Sequence, residues 1–232
     1  MKLLSPKLKQ KINRTVNLIT HSNPKLPISE QYRQIRTNIQ FSSVDKEVKT
    51  ILVTSPEPSD GKSTIAANLA IVLAQQGKPV LLVDTDLRKP TVHFTFNHNN
   101  LNGMTSVLTK KILLHDAITK TDIPNLEILT SGPIPPNPSE LLISKTMEKI
   151  IEELRDMFEY VIFDTPPVLA VTDSQIIAKK CDGIVMVVAS GKTHREQAYK
   201  AKVLLEKTKT QLLGVVVNGV IANKDQYYYE YK

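Results

Sequence analysis

Pro58-Ser59-Asp60-Gly61-Lys62-Ser63-Thr64 is the stretch of sequence that decides the fold. An apolar, β-branched run, Thr50–Thr54, precedes it, and a run without a polar stripe, Ile65–Ala74, follows it. Strand, loop, Gly-Lys-Ser/Thr and helix in this order are typical of a phosphate-binding loop, or P-loop, whose backbone N–H groups surround nucleotide phosphates at a helix N-terminus. In such a loop Lys62 reaches the β- and γ-phosphates and the Ser63 hydroxyl binds Mg²⁺. The stretch therefore predicts binding of a nucleoside triphosphate with magnesium.

The loop differs from the common pattern at one position. Pro56 stands where a glycine six residues before Lys62 is usual. A polar turn that caps a core helix is the alternative interpretation, but the strand before the loop and the helix after it favour nucleotide binding. The predicted nucleotide-binding residues of the loop are Ser59, Asp60, Gly61, Lys62, Ser63 and Thr64.

Three aspartates lie at the ends of two further strand-like runs. Asp84 and Asp86 follow Val80–Val83, and Asp164 follows Tyr160–Phe163. Carboxylates at strand ends beside a P-loop hold Mg²⁺ or its water in phosphoryl-transfer enzymes. Residues two apart in an extended segment point to one side, so one of the first two acids can bind the metal while the other accepts a proton. A strand-end cap is the alternative for each acid taken alone.

Two further polar residues are candidates for the same site. Arg88 follows the aspartate pair and is predicted to bind phosphate, with a solvated basic turn as the alternative. Asn218 follows the last apolar run, where a side-chain amide can bind the edge of an adenine; the alternative is a turn at Asn218-Gly219.

Apolar, β-branched runs alternate with helix-like segments along the chain. The runs are apolar on both faces, which indicates buried parallel strands. This alternation predicts an α/β fold with a doubly wound, mostly parallel sheet that binds ligands at the carboxyl ends of its strands. The predicted strands are Thr50–Thr54, Val80–Val83, Leu126–Thr130, Tyr160–Phe163, Ile184–Ala189 and Leu212–Val217. The predicted helices are Ser29–Phe41, Lys62–Gln76, Leu113–Lys120, Pro138–Phe158, Asp173–Lys179 and Arg195–Lys207.

Composition sets the remaining limits. The chain has 232 residues and a formal net charge of +7. No apolar run of about 18 residues is present, so no segment is expected to span a membrane. Residues 1–26 carry six basic side chains and no acid. This charge suggests contact with an anionic lipid surface, a nucleic acid or an acidic partner. The alternative is a solvated leader that binds nothing. The lone Cys181 fits a reducing cytoplasm. We expect a basic leader over 1–28, a P-loop domain over 29–221 and a tyrosine-rich tail over 222–232.

Three segments outside the P-loop closely resemble the bacterial tyrosine kinases of capsular and exopolysaccharide synthesis, above all the separate kinase chain of Gram-positive systems. They are Asp84–Pro90, Ser131–Leu142 and Phe163–Pro167. The resemblance covers nearly the whole chain from Ser29 onward and implies the fold of the partition and cell-division ATPases, with a deviant Walker-type P-loop. Ser59 and Asp60 depart from the family, which often has Gly-Glu there.

The resemblance implies a protein-tyrosine kinase that uses ATP and Mg²⁺ to phosphorylate its own chain. Lys62 and Ser63 would be the Walker A pair, Asp84 and Asp86 the second Walker motif, and Asp164 the Walker B acid. A tyrosine hydroxyl has a pKa of about 10, so a carboxylate near the metal must accept its proton during transfer. We expect Asp84 to be this base and Asp86 to join Ser63 and Asp164 at the metal, and the reverse assignment of the pair stays open.

The resemblance also implies sites for assembly and modification. Glu30, Arg33 and Arg36 match the family's E-x-x-R-x-x-R oligomerisation motif, and an intrahelical Glu–Arg pair is the alternative. The autophosphorylated cluster would comprise Tyr227, Tyr228, Tyr229 and Tyr231.

Several partners follow from the same resemblance. A transmembrane modulator would complete the ATP site and keep the cytoplasmic kinase at the inner face of the cell membrane. The unphosphorylated chain would form a homo-oligomeric ring, and a phosphotyrosine phosphatase would reverse the reaction. Other proteins are possible further substrates, and no nucleic acid is expected as a partner. The alternative function is a non-kinase ATPase switch of the partition or cell-division type that acts on DNA or membrane. It suits the basic leader but leaves the tyrosine tail unexplained.

Overall fold

A twisted sheet with helices on both faces forms the body of the protein. The computed structural model describes residues 16–42 and 47–220, and within them the sheet has seven strands in the order β3-β4-β2-β5-β1-β6-β7. All neighbouring strands are parallel except β3, which pairs antiparallel with β4. The strands are β1 Thr50–Thr54, β2 Val80–Asp84, β3 Ile118–Lys120, β4 Leu126–Leu129, β5 Tyr160–Asp164, β6 Gly183–Ala189 and β7 Gln211–Asn218. The predicted doubly wound, mostly parallel α/β fold is confirmed.

Ten helices accompany these strands in the described part of the chain. They are α1 Ile19–Ser22, α2 Pro27–Phe41, α3 Lys62–Ala74, α4 Val92–Thr95, α5 Met104–Leu108, α6 Leu114–Ala117, α7 Pro138–Ile143, α8 Lys145–Met157, α9 Asp173–Ala178 and α10 Arg195–Glu206. No helix in residues 16–42 or 47–220 is long and apolar enough to cross a bilayer.

The central strands separate two hydrophobic cores. Every residue of β1, β2 and β5 is buried. Successive side chains of a strand point to opposite faces: Leu52 packs in the core with α8 and α9, whereas Ile51 and Val53 pack in the core with α3. Helices on both faces explain why these strands are apolar throughout rather than alternating.

Helix α3 is the element that the sheet and α2 enclose. Every residue from Ile65 to Ala74 is buried, which explains the absence of a polar stripe. On its outer side, Arg36 of α2 donates from Nη1 to Val72 O at 2.8 Å. The last carbonyls of a helix have no intrahelical donor, so Arg36 satisfies one of them and holds α2 against the helix that carries the P-loop.

The structure corrects two of the predicted helices. The single helix predicted over Pro138–Phe158 is wrong, because Ser144 is extended, with φ −64° and ψ 155°, and its hydroxyl caps α8 by accepting from Met147 N at 3.2 Å. The helix predicted over Leu113–Lys120 is also wrong in its second half, where Ile118–Lys120 pairs with β4 instead. Short helices α1, α4 and α5 were not predicted.

The described part of the predicted leader contacts the P-loop helix. The N–H and the hydroxyl of Thr20 both donate to Asn68 Oδ1, at 3.0 and 2.9 Å, and Gln75 Nε2 donates to Thr20 O at 3.0 Å. Residues 16–26 therefore pack on the domain that we expected to begin at residue 29, while the boundary itself stays a prediction. The other half of the leader lies outside the described residues.

Candidate active site

The topology brings the predicted site residues to one edge of the sheet. Strand β1 lies between β5 and β6, and β5 lies next to β2. The P-loop follows β1, and in the sheet register Asp164 is the partner of both Val53 and Asp84. The carboxyl ends of these parallel strands consequently surround the N-terminus of α3, which begins at Lys62. This is the edge at which open α/β sheets bind their ligands.

Lys62 lies between two carboxylates. Its Nζ is 3.4 Å from Asp86 Oδ2, 3.4 Å from Asp164 Oδ1 and 3.1 Å from the Ser63 hydroxyl. Burial lowers the pKa of Lys62, but the charges of Asp164 and Asp86 outweigh this effect and raise it. The side chain therefore stays an ammonium at neutral pH, which is the form that binds phosphate oxygens.

One carboxylate oxygen of Asp164 accepts no hydrogen bond from the described residues. Its Oδ1 faces Lys62, and its Oδ2 is buried without a hydrogen-bond partner among the described residues. Burial raises the pKa of Asp164, and the Lys62 ammonium opposes that shift. A buried carboxylate oxygen with no partner is costly and fits a magnesium ion or its water, for which oxygen is the preferred ligand.

The protein supplies few ligands for such an ion. No group of three His, Cys, Asp or Glu side chains with metal-binding spacing occurs in residues 16–42 and 47–220. Mg²⁺ is commonly held by one or two carboxylates together with substrate phosphates and waters. The residues present fit that arrangement, with Asp164 and the Ser63 hydroxyl beside the phosphate-binding lysine.

Asp84 and Asp86 have different surroundings, although only one residue separates them. Asp84 is fully buried and accepts backbone hydrogen bonds from Thr91 N at 2.9 Å and Val92 N at 3.0 Å through Oδ2, and from Asp86 N at 3.2 Å through Oδ1. Burial, with a contribution from the charge of Asp164, raises the pKa of Asp84 to about 7. Asp86 instead directs Oδ2 toward Lys62 and accepts only one backbone hydrogen bond, from Lys89 N to Oδ1 at 2.9 Å. Strand β2 ends at Asp84, so the two side chains do not share the extended geometry that the sequence suggested.

The P-loop has a backbone shape that only glycine fits at one position. Gly61 has φ +98°, and a Cβ there would lie 2.1 Å from Asn218 Nδ2. Asn218 Nδ2 donates to Asp60 O at 3.0 Å. Asn218 thus supports the P-loop directly, and its predicted contact with adenine stays a prediction.

Arg88 is held by an acid that the sequence analysis did not identify. Its Nε and Nη2 donate to Asp173 at 2.8 and 3.3 Å, and its Nη2 also donates to the Ser139 hydroxyl at 3.0 Å. Asp173 is fully buried, so this pair connects the loop after β2 to α7 and α9. Arg88 thus holds these elements together, and its predicted contact with phosphate stays a prediction. The position of Asp173 at the start of a predicted helix was the signal that could have identified it.

The predicted oligomerisation residues make contacts within the chain. Arg33 donates to Glu30 Oε2 and to Pro24 O, both at 2.6 Å, and Arg36 contacts α3 as described above. The Glu30–Arg33 pair is on the surface, where such a pair contributes at most about 1 kcal/mol. Glu30 and Arg33 therefore remain accessible to a neighbour, whereas Arg36 also stabilises the monomer.

The tyrosines at 227, 228, 229 and 231 lie outside the described residues.

Fold and site together define a nucleotide-binding P-loop protein of the ATPase type, and comparison with known proteins agrees. Residues 48–199 match the model of the AAA domain family. The tyrosine-protein kinase YwqD of Bacillus subtilis is 53% identical over 212 residues, which cover 91% of this chain and 90% of the relative.

Two solved structures agree with this relationship. The chimerical protein CapA2B2 is 45% identical with a TM-score of 0.86, and the match covers 90% of this chain and 93% of the other. The kinase domain of the Escherichia coli tyrosine kinase ETK is 30% identical with a TM-score of 0.86, and the match covers 90% and 82%. The chain belongs to the bacterial tyrosine-protein kinases. The predicted kinase activity is confirmed over the alternative of a partition-type ATPase switch.

Proposed function

We propose that the site transfers the γ-phosphoryl group of ATP, bound with Mg²⁺, to tyrosines 227, 228, 229 and 231 of a neighbouring copy of the chain. The observation that carries this proposal is the position of Lys62 at the start of α3, 3.4 Å from both Asp86 and Asp164. The helix N-terminus and the ammonium supply positive charge for the phosphates. Phosphoryl transfer depends mainly on positioning and on such charge stabilisation.

Residues of this chain account for the individual tasks. The N–H groups of the P-loop and Lys62 hold the β- and γ-phosphates, and Asp164 with Ser63 would hold Mg²⁺, which neutralises charge on the transferred group. We assign the proton-accepting role to Asp86 rather than to Asp84, which was expected to be the base from the sequence. Asp86 Oδ2 faces Lys62 and only its Oδ1 accepts from the backbone, from Lys89 N, whereas both oxygens of Asp84 accept from backbone donors. Asp84 then fixes the loop that presents Asp86.

Substitution of each acid separates these two roles. Asp86→Asn is expected to reduce phosphotyrosine formation by about a hundredfold or more with little change in melting temperature. Asp84→Asn is expected to lower the free energy of unfolding by about 1–3 kcal/mol, because an amide cannot accept from all three N–H groups. Steady-state kinetics and thermal unfolding on the same preparations check both results. Full activity in Asp86→Asn would contradict the assignment.

The biological role follows from the family resemblance. The kinase acts in the synthesis of capsular or extracellular polysaccharide, at the inner face of the membrane, together with a transmembrane modulator that completes the ATP site. Unphosphorylated chains assemble into a ring, and each phosphate adds roughly −1.5 to −2 charge to a tail. Repulsion between these charges separates the subunits, and a phosphotyrosine phosphatase restores the assembling form.

The reaction itself has a simple test. The purified full-length chain is first treated with a phosphatase and then incubated with ATP and Mg²⁺, and phosphotyrosine is detected by immunoblot. A matched sample with EDTA serves as the control. Phosphotyrosine that appears only with Mg²⁺ supports the proposal, whereas ATP hydrolysis without phosphotyrosine would support the ATPase switch instead.

Substitution of the Glu30–Arg33 pair on α2 tests the proposed assembly of a ring. Replacing Glu30 and Arg33 by Ala is expected to shift the unphosphorylated protein to smaller species in light scattering. The melting temperature is expected to fall only slightly, because Glu30 is exposed, Arg33 is partly exposed and such a pair contributes little. Arg36→Ala is expected to lower the melting temperature as well, because Val72 O loses its donor. An unchanged mass in the double variant, with an oligomeric parent, would leave the intrahelical interpretation of the motif in place.

A further inference from the structure

The P-loop contains a buried carboxylate. Asp60 is fully buried and directly precedes Gly61 and Lys62. Its Oδ2 accepts from Glu57 N at 3.0 Å, and its Oδ1 lies 3.2 Å from Lys192 Nζ. A negative charge inside a loop that binds a polyanion opposes binding, and low local dielectric strengthens that repulsion. The protein therefore needs a cation to compensate for Asp60.

Lys192 provides this cation from another part of the fold. It lies in the turn between β6 and α10, and its side chain is about half exposed. Besides Asp60, its ammonium donates to Pro58 O at 2.6 Å. The turn is closed by Ala189 N, which donates to the Thr193 hydroxyl at 2.8 Å. One lysine on an ordered turn thus connects two points of the P-loop.

The end of β7 holds the same part of the loop from a second direction. Asn218 Nδ2 donates to Asp60 O, and Ser190 N donates to Asn218 O at 2.8 Å. Asp60 is therefore fixed through its side chain by Lys192 and through its main chain by Asn218. Lys62 faces the other acids of the site, Asp86 and Asp164, so it does not take over the compensation of Asp60.

We propose that Lys192 is a positioning residue for nucleotide binding. It neutralises Asp60 and holds Pro58–Asp60 in the conformation that keeps the loop N–H groups available to phosphate. It acts through Asp60 and Pro58 O rather than by contact with the substrate. This inference rests on the proposed nucleotide site. It adds to that site a residue that is far from the P-loop in the sequence.

Lys192→Met is expected to raise both the dissociation constant and the KM for ATP with Mg²⁺ about tenfold, with kcat nearly unchanged, because an uncompensated charge remains in the loop. The increase is expected to be smaller at high ionic strength, since salt screens the repulsion. Lys192→Arg keeps the charge and is expected to retain most of the affinity. Lys200→Met is the matched control: this lysine on α10 is similarly exposed and pairs with Glu196 at 2.7 Å.

A double-mutant cycle tests whether the loss of ATP affinity in Lys192→Met is caused by the charge of Asp60. In an Asp60→Asn background, adding Lys192→Met is expected to weaken ATP binding by only about twofold to threefold, because no charge remains to be neutralised and only the hydrogen bond to Pro58 O is lost. Thermal unfolding of each variant confirms that the fold is kept. Wild-type affinity in Lys192→Met, or the same loss in both backgrounds, would overturn the role of Lys192. A parent chain that does not bind ATP with Mg²⁺ would overturn the proposed function itself.

Discussion

Replacing Lys62 by Met is expected to reduce phosphotyrosine formation by at least about a hundredfold, which is the effect of losing a single stabilising group of this kind in other enzymes. The ammonium is the one cation placed at the start of α3 between Asp86 and Asp164 in the described part of the chain. Methionine has an unbranched side chain of similar length but no charge, so the γ-phosphoryl group loses its partner. Lys200→Met, on the surface of α10, is the control and is expected to keep full activity.

The same substitution has a consequence for stability that the sequence did not indicate. Asp164 is fully buried, and removal of its cation leaves a buried charge uncompensated. Without Lys62, the pKa of Asp164 rises further above its value in the unfolded chain. Such a group favours the folded state at low pH and destabilises it as pH rises. The deficit in melting temperature of Lys62→Met relative to the parent is therefore expected to be smaller near pH 5 than near pH 8.

A deficit that does not depend on pH would contradict this description of the Asp164 environment. Retained phosphotyrosine formation in a folded Lys62→Met variant would contradict the assignment of the P-loop as the site of phosphoryl transfer. The two readouts are independent, since one reports on catalysis and the other on the buried charges.

Changing Tyr227, Tyr228, Tyr229 and Tyr231 together to Phe is expected to remove most phosphate incorporation while nucleotide binding stays at the level of the parent. The structure describes three other tyrosines. Tyr32 and Tyr160 are buried, at 4% and 8% exposure, whereas Tyr199 is 66% exposed on α10. A buried hydroxyl cannot enter a neighbour's active site, so Tyr199→Phe is the informative control and is expected to leave incorporation unchanged.

The quadruple variant also tests the proposed assembly cycle. Without acceptor hydroxyls, ATP cannot add charge to the tails, so the variant is expected to stay oligomeric in light scattering after incubation with ATP and Mg²⁺. The parent is expected to dissociate under the same conditions. Phosphate mapped to Tyr199 rather than to the tail, or equal incorporation in the quadruple variant, would contradict the role of the tail.

Sequence patterns predicted the frame of this protein well because its central elements are buried on both sides. The central residues of β1, β2 and β5 are apolar and each strand ends in a polar residue, so the extent of these strands and their parallel direction follow from the hydrophobic pattern. The Gly-Lys-Ser signature lies between a strand and a helix as its chemistry requires. Elements with weaker patterns, such as β3 and the break at Ser144, depend on pairing with β4 and on a local cap that the pattern does not contain.

The surroundings of each polar side chain were harder to predict. Asp84 and Asp86 look equivalent in the sequence, yet Asp84 binds three backbone N–H groups and Asp86 faces Lys62. Arg88 pairs with Asp173, which is 85 residues away in the chain, so no local pattern predicts this contact. Lys192 belongs to no sequence motif that indicates a role in nucleotide binding. Its position in a turn at the carboxyl edge of the sheet was its only signal, and the contact with Asp60 appears only when β6 lies beside β1.

The most direct test of transfer between chains mixes two variants, neither of which can phosphorylate its own tail. One carries Lys62→Met with the natural tail, and the other carries an intact P-loop with the four tail tyrosines changed to Phe. After incubation with ATP and Mg²⁺, tryptic cleavage after Lys224 releases residues 225–232, which contain all four tail tyrosines, and mass spectrometry detects their phosphates. We expect phosphate on this peptide from the Lys62→Met chain in the mixture and none when that chain is incubated alone. Its absence from the mixture, under conditions in which the parent chain phosphorylates its tail, would contradict transfer from the P-loop site of one chain to the tail of another.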